Sequence, residues 1–152
     1  RYAVLDGVDL TIVSADRVTI ASHLILEGVR WQDGIPYSRD SEAQLVIYAA
    51  GRDIATGEAT TGGIAVAAAA PAGLKVQASL TAASGGFRIE GEGRTIELLG
   101  ALQADAYAGN GNRLVLFRDD RAAAGELPQS SPLTAEPCLA FYALKVLAWK
   151  EY

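Results

Sequence analysis

Glycine-rich punctuation cuts this chain into runs too short for ordinary helices. Gly85-Gly86, Gly91-Glu92-Gly93 and Gly100 separate three apolar runs within sixteen positions. Glycine reaches conformations that other residues avoid and weakens regular elements from within, so it marks corners. Between corners, short apolar runs recur: Val8–Val13, Val18–Ile20, Leu24–Val29, Leu45–Ala49, Ile64–Ala67, Leu74–Leu80, Phe87–Glu90, Thr95–Leu99, Leu114–Phe117 and Leu139–Trp149. Several alternate apolar with polar, as a strand with one buried face must. Leu74, Val76, Ala78 and Leu80 sit between Lys75, Gln77, Ser79 and Thr81. The best helical candidate, Ala65–Ala72, contains Pro71 and is flanked by Gly62, Gly63 and Gly73. Ala122–Ala124 has room for a short helical turn before Gly125.

The pattern predicts an all-β fold. Turns closer together than the 8–12 residues usual in a sandwich favour a β-solenoid, in which short strands stack as the chain winds on. No strict repeat is present, so that solenoid is irregular, and a β-sandwich is the alternative. The chain has 152 residues, the size of one domain, and half are apolar. Those apolar residues are mainly Ala, Val, Leu and Ile, which suit closely approaching layers. Residues 1–152 are therefore read as a single β-rich domain. Arg30–Ala43, polar and turn-rich, is expected as a protruding loop leaving the stack. Arg118–Pro137, with Pro128, Pro132 and Pro137, is expected as an extended crossing segment. Residues 139–152 are expected to return as a terminal strand that covers an open side or end.

The order of these segments resembles PilX-like, type IV pilus-associated proteins. An alternating strand at Leu74–Ala82 is followed by a run at Gly86–Ile89 similar to the family's G-x-F-x-V, an L-x-G-x-L run at Leu98–Leu102, a Pro-containing segment and a terminal Trp149-Lys150-Glu151. VDLTIVSADRVTIASHLILEG is similar to the earlier strands of that family. Competence minor pilins of the ComZ type carry a β-solenoid of this general kind. The resemblance implies an exported module at the cell surface or in the periplasm, tied to the membrane only by an N-terminal segment. The chain opens at Arg1 and contains no Met, so it reads as a fragment of such a protein. Expected partners are other pilins or pilus-assembly proteins, with DNA or surface polysaccharide bound weakly. Adhesion, pilus assembly and DNA uptake are the implied roles. One departure is RLVLFRDD before the prolines, where relatives carry Tyr and Asp; Asp119 and Asp120 stand in the equivalent place.

Catalytic chemistry finds few candidates. His23 is the one histidine and Cys138 the one cysteine. A zinc site needs several such ligands, and a catalytic triad needs an acid, a base and a nucleophile together. Cys138 is read as a small buried hydrophobe. No phosphate-binding Gly-rich signature is present, and Gly109-Asn110-Gly111-Asn112 is read as a tight turn. No metal and no cofactor are expected. The acidic pairs Asp6 with Asp9, Glu90 with Glu92, and Asp119 with Asp120 keep open an enzyme of the β-helix, polysaccharide-active kind. The binding alternative rests on Trp31 and Tyr37 with Arg30 and Arg39, which could stack on sugars or bases if exposed. A sandwich that binds carbohydrate through the same aromatics is the second rival. The net charge of −5 disfavours a generic phosphate-binding surface.

Overall fold

The computed structural model describes residues 1–121 and 150–151. The described chain is all-β, and its two main sheets are almost entirely parallel. The larger holds β1 (Tyr2–Val4), β2 (Asp9–Ser14), β4 (Leu24–Leu26), β7 (Gln44–Ala49), β9 (Gly73–Ala82), β11 (Thr95–Ala104), β13 (Arg113–Phe117) and β14 (Lys150–Glu151). The smaller holds β3 (Val18–Ile20), β8 (Ile64–Val66), β10 (Phe87–Ile89) and β12 (Tyr107–Ala108). A separate antiparallel pair, β5 (Arg30–Gln32) and β6 (Ile35–Tyr37), lies between β4 and β7 in sequence.

The chain alternates between the two main sheets. From β9 it passes to β10, returns to β11, passes to β12 and returns to β13. Each return adds a parallel neighbour to the strand before it. β9 and β11 pair over ten residues, from Gly73↔Thr95 to Ala82↔Ala104, and β13 continues on the first half of β11.

This register puts like side chains in columns. Leu74 stands beside Ile96 and Ile96 beside Leu114. In the smaller sheet Val18, Ile64, Phe87 and Tyr107 form one column. Ile20, Val66 and Ile89 form the next. The inward sides of both sheets share one core, containing Leu45, Ile47, Leu80, Phe87, Ile89 and Leu98. Full burial of such a side chain stabilises by about 1.5–3 kcal/mol. Corners are tied by side-chain amides: Asn112 Nδ2 donates to Gly91 O at 2.8 Å, and Asn112 Oδ1 accepts from Arg94 N at 2.8 Å. Positive φ at Asn110 and Gly111 makes this corner a tight turn.

Several boundaries differ from the sequence pattern. The run from Leu24 ends as strand at Leu26, because Val29 N turns back to Leu26 O. The run from Thr95 extends beyond Leu99 to Ala104, through Gly100, because β9 supplies a partner along its whole length. Within residues 30–43, Arg30–Gln32 and Ile35–Tyr37 pair with each other as a hairpin outside both main sheets. Of the crossing segment, Arg118–Arg121 is described and 122–137 lies outside the described residues. Of the terminal strand, only Lys150–Glu151 is described, antiparallel on the edge of β1. Leu139–Trp149 and Cys138 lie outside the described residues.

Candidate functional site

Asp33-Gly34 sits between β5 and β6 with φ of 51° and 80°. A two-residue turn with both central residues at positive φ matches the twist of a hairpin, and Asp-Gly is among its favoured pairs. This dipeptide is a local signal that the composition-based reading of 30–43 passed over. The register then decides which side chains face out. Trp31 opposes Pro36, while Arg30 opposes Tyr37 and Gln32 opposes Ile35. Trp31 and Pro36 are half-buried; the other four are exposed, Ile35 by 51% and Tyr37 by 50%.

The inner face of the hairpin is seated on the outer side of the large sheet. Lys75 Nζ lies 3.7 Å from the Trp31 ring centroid. The Phe117 ring stands edge-on to Trp31, 5.4 Å away at 89°. Lys75 also pairs with Glu97 at 3.6 Å. A cation over an indole adds about 0.5–2 kcal/mol, more as water is excluded. The excursion explains why Gln77, polar and outward by alternation, is buried. Its Oε1 accepts from Leu26 N at 2.6 Å.

The base of the hairpin is held by a buried ion pair. Arg121, 4% exposed, donates from Nη2 and Nε to the two oxygens of Asp119, at 2.7 and 3.0 Å. Its Nη1 donates to Ser41 O and Ala43 O at 2.7 and 2.8 Å. Ser38 Oγ, with a single proton to share, lies 2.8 Å from Asp119 Oδ1 and in hydrogen-bond contact with Asp120. Arg39 Nε donates to Asp120 Oδ2 at 3.0 Å. The chain just past β13 is thereby clamped to the loop that enters β7. Burial pushes the Asp119 carboxyl upward, but hydrogen bonds from Arg121 and Ser38, with the Arg121 charge, hold it below the ordinary value. Asp120 is lowered too, chiefly by the Ser38 hydroxyl.

The four predicted binding residues therefore divide. Arg30 and Tyr37 are cross-strand neighbours on the open face. Arg30 also lies 3.8 Å from Asp40. Arg39 is exposed beside them in sequence but tied to Asp120. Trp31 points the other way, one ring face taken by Lys75. Ile35, absent from the predicted set, joins the open face through the register.

Members of the acidic pairs are engaged by other groups. Asp6 Oδ1 accepts from Glu42 N at 2.6 Å. Glu90 pairs with Arg88 at 2.7 Å. Asp119 and Asp120 converge, on Ser38. His23 Nδ1 accepts from Lys75 N at 3.0 Å. Among the described residues no group of three or more His, Cys, Asp or Glu is placed to hold a metal ion.

No protein-family model, no curated protein and no solved structure matches this chain.

Proposed function

We propose that this chain is a β-solenoid module that works without turnover, outside the cytoplasm, in a type IV pilus or competence apparatus. In this reading it presents the outer face of the β5–β6 hairpin to another pilin or pilus-assembly protein. The observation that carries it is the way the hairpin is mounted. Trp31 and the Asp119–Arg121 clamp hold it from below, while Arg30, Ile35 and Tyr37 face solvent. Tyr, Arg and an apolar neighbour on a rigid support are what protein interfaces concentrate at their centres. The solenoid reading is supported over the sandwich by the parallel pairing of successive strands and by the chain's repeated return between two sheets. Presentation is supported over hydrolysis by the acidic side chains, which are spread among corners, an ion pair and the clamp. The pilus setting rests on the order of sequence segments.

The test replaces Ile35→Asp with Tyr37→Ser in the host gene. The expected result is loss of piliation or DNA uptake to the level of a gene deletion, with unchanged melting of the purified domain. Wild-type piliation and uptake in that double variant would overturn the hairpin reading. Polysaccharide turnover lost in Glu90→Gln or Asp119→Asn would overturn the non-enzymatic one. DNA affinity, where present, is expected to be weak and steeply salt-dependent, as phosphate contacts are.

A further inference from the structure

The end of the stack at β13 is stepped. β11 has ten residues, and β13 pairs with the first five of them, Thr95–Leu99. The other half of that edge, Gly100–Ala104, has no strand beside it among the described residues. Past Phe117 the chain turns away to the base of the hairpin, where Arg121 is bonded to Ser41 and Ala43. The step that remains is one strand deep and five residues wide, the length of β13 itself.

The core is also uncovered here. Leu116 stands beside the core residue Leu98, yet is 58% exposed. Tyr107 stacks on the buried Phe87 ring, 6.3 Å away, and is 52% exposed. Leu102, Ala104 and Leu114 are only partly buried against the same core. At the opposite end β2 and β3 finish on buried Leu10 and Ile20. An open ladder beside an open core is a template for a further strand.

We propose that this end binds a second copy of the same chain, with β13 of each copy laid antiparallel along the vacant half of the other's β11. A two-fold axis perpendicular to the sheet makes the step fill itself and keeps both inward faces on one side. Inward side chains must stay inward, so the register can change only by two residues. The register that sets Leu114 against Ala104 and Leu116 against Leu102 of the second copy also sets Arg113 against its Asp105. Arg113 and Asp105 are exposed, and neither side chain has a partner among the described residues. Within one copy they cannot meet. Arg113 lies beside Thr95 at one end of β11, and Asp105 follows the other end, roughly 30 Å away along an extended strand. Across the axis they meet twice. Opposite charges facing each other across a strand pair favour that register over its neighbours. The chain therefore supplies both the strand and the charges that its own open end lacks. The contact is confined to two short strands and the core columns beside them, so it is reversible, at the weak end of protein interfaces.

Sedimentation velocity of the chain from about 5 to about 500 μM tests this, a range suited to a small, reversible interface. The expected result is a monomer that gives way to a dimer as concentration rises. At the dilute end Leu116 keeps the exposure it has in the single chain. Arg113→Asp and Asp105→Arg should each weaken dimerisation about tenfold or more, because each sets like charges against one another twice. Mixed in equal amounts, the two variants should dimerise again, since every facing pair is then Asp with Arg. Recovery in the mixture also shows that both variants are folded. A chain that stays monomeric over the whole range would overturn the proposal; residues 122–149 of the same chain lying on the step would give that result. A dimer that neither single variant weakens, or a mixture that stays monomeric, would overturn it equally.

Discussion

Arg121 shows how much one residue can hold together. Its guanidinium makes four hydrogen bonds, two to Asp119 and two to main-chain carbonyls, in a buried site. Removing one partner of a buried pair leaves the other charge uncompensated, which costs about 3–5 kcal/mol, whereas an apolar pair of similar volume can be neutral. Arg121→Met should therefore lower stability by about that amount, while Arg121→Met combined with Asp119→Leu should lose much less. Chemical denaturation of the three proteins measures the difference. A double variant as weak as the single one would contradict this account. His23 gives a second test. Its folded affinity for a proton is below the ordinary value of 6.5. The unfolded chain then binds the proton more readily, so stability is full above that value and declines as pH falls through it. Denaturation midpoints of the wild type should drop with acid over this range, and His23→Gln should flatten the drop.

At the scale of the element, the hairpin depends on a turn that few residues can make. Gly34 has φ of 80°, where a branched side chain is strained by roughly 1–2 kcal/mol. Gly34→Val should expose the amides of β5 and β6 to hydrogen exchange while those of β9 and β11 stay protected. Equal loss in both regions would mean that the hairpin and the stack unfold as one unit. Within the stack, Gly100 serves a different need. It has φ of 135°, and a Cβ there would lie 2.3 Å from Ala78 O. A glycine that breaks the run of apolar residues in β11 is what lets β11 lie close to β9 at that level.

For the whole molecule, position along the stack sets the energetic weight of a residue. Leu98 and Leu116 are register partners in neighbouring strands, yet Leu98 is 1% exposed and Leu116 58%. Leu98→Ala should cost about 2–5 kcal/mol through a lost contact surface and a residual cavity. Leu116→Ala should cost well under 1 kcal/mol, in line with other exposed positions. Thermal or denaturant unfolding of the two variants checks the contrast; similar losses would show that Leu116 is covered in solution. β14 on the edge of β1 acts at the same scale, giving that edge a paired neighbour instead of a free ladder.

The one-dimensional pattern determined the strands. Alternation at Leu74–Leu80 and glycine at the corners are local demands, and they survive unchanged as β9 and the turns around it. It also held imidazole and thiol to one residue each, His23 and Cys138. What it left open was pairing. Gln77 reads as an outward polar residue until the excursion covers it. Trp31 and Tyr37 read as alike until the register of β5 with β6 turns one inward and the other out. Asp119 reads as half of an acidic pair with Asp120 until it meets Arg121 beside it and Ser38 from across the chain. Strand formation follows from neighbours in sequence. The mounted hairpin, the clamp and the His23–Lys75 bond follow from groups about eighty or fifty residues apart (Ser38 with Asp119, His23 with Lys75). Their meeting is decided by how parallel layers stack, and only the tertiary structure contains that.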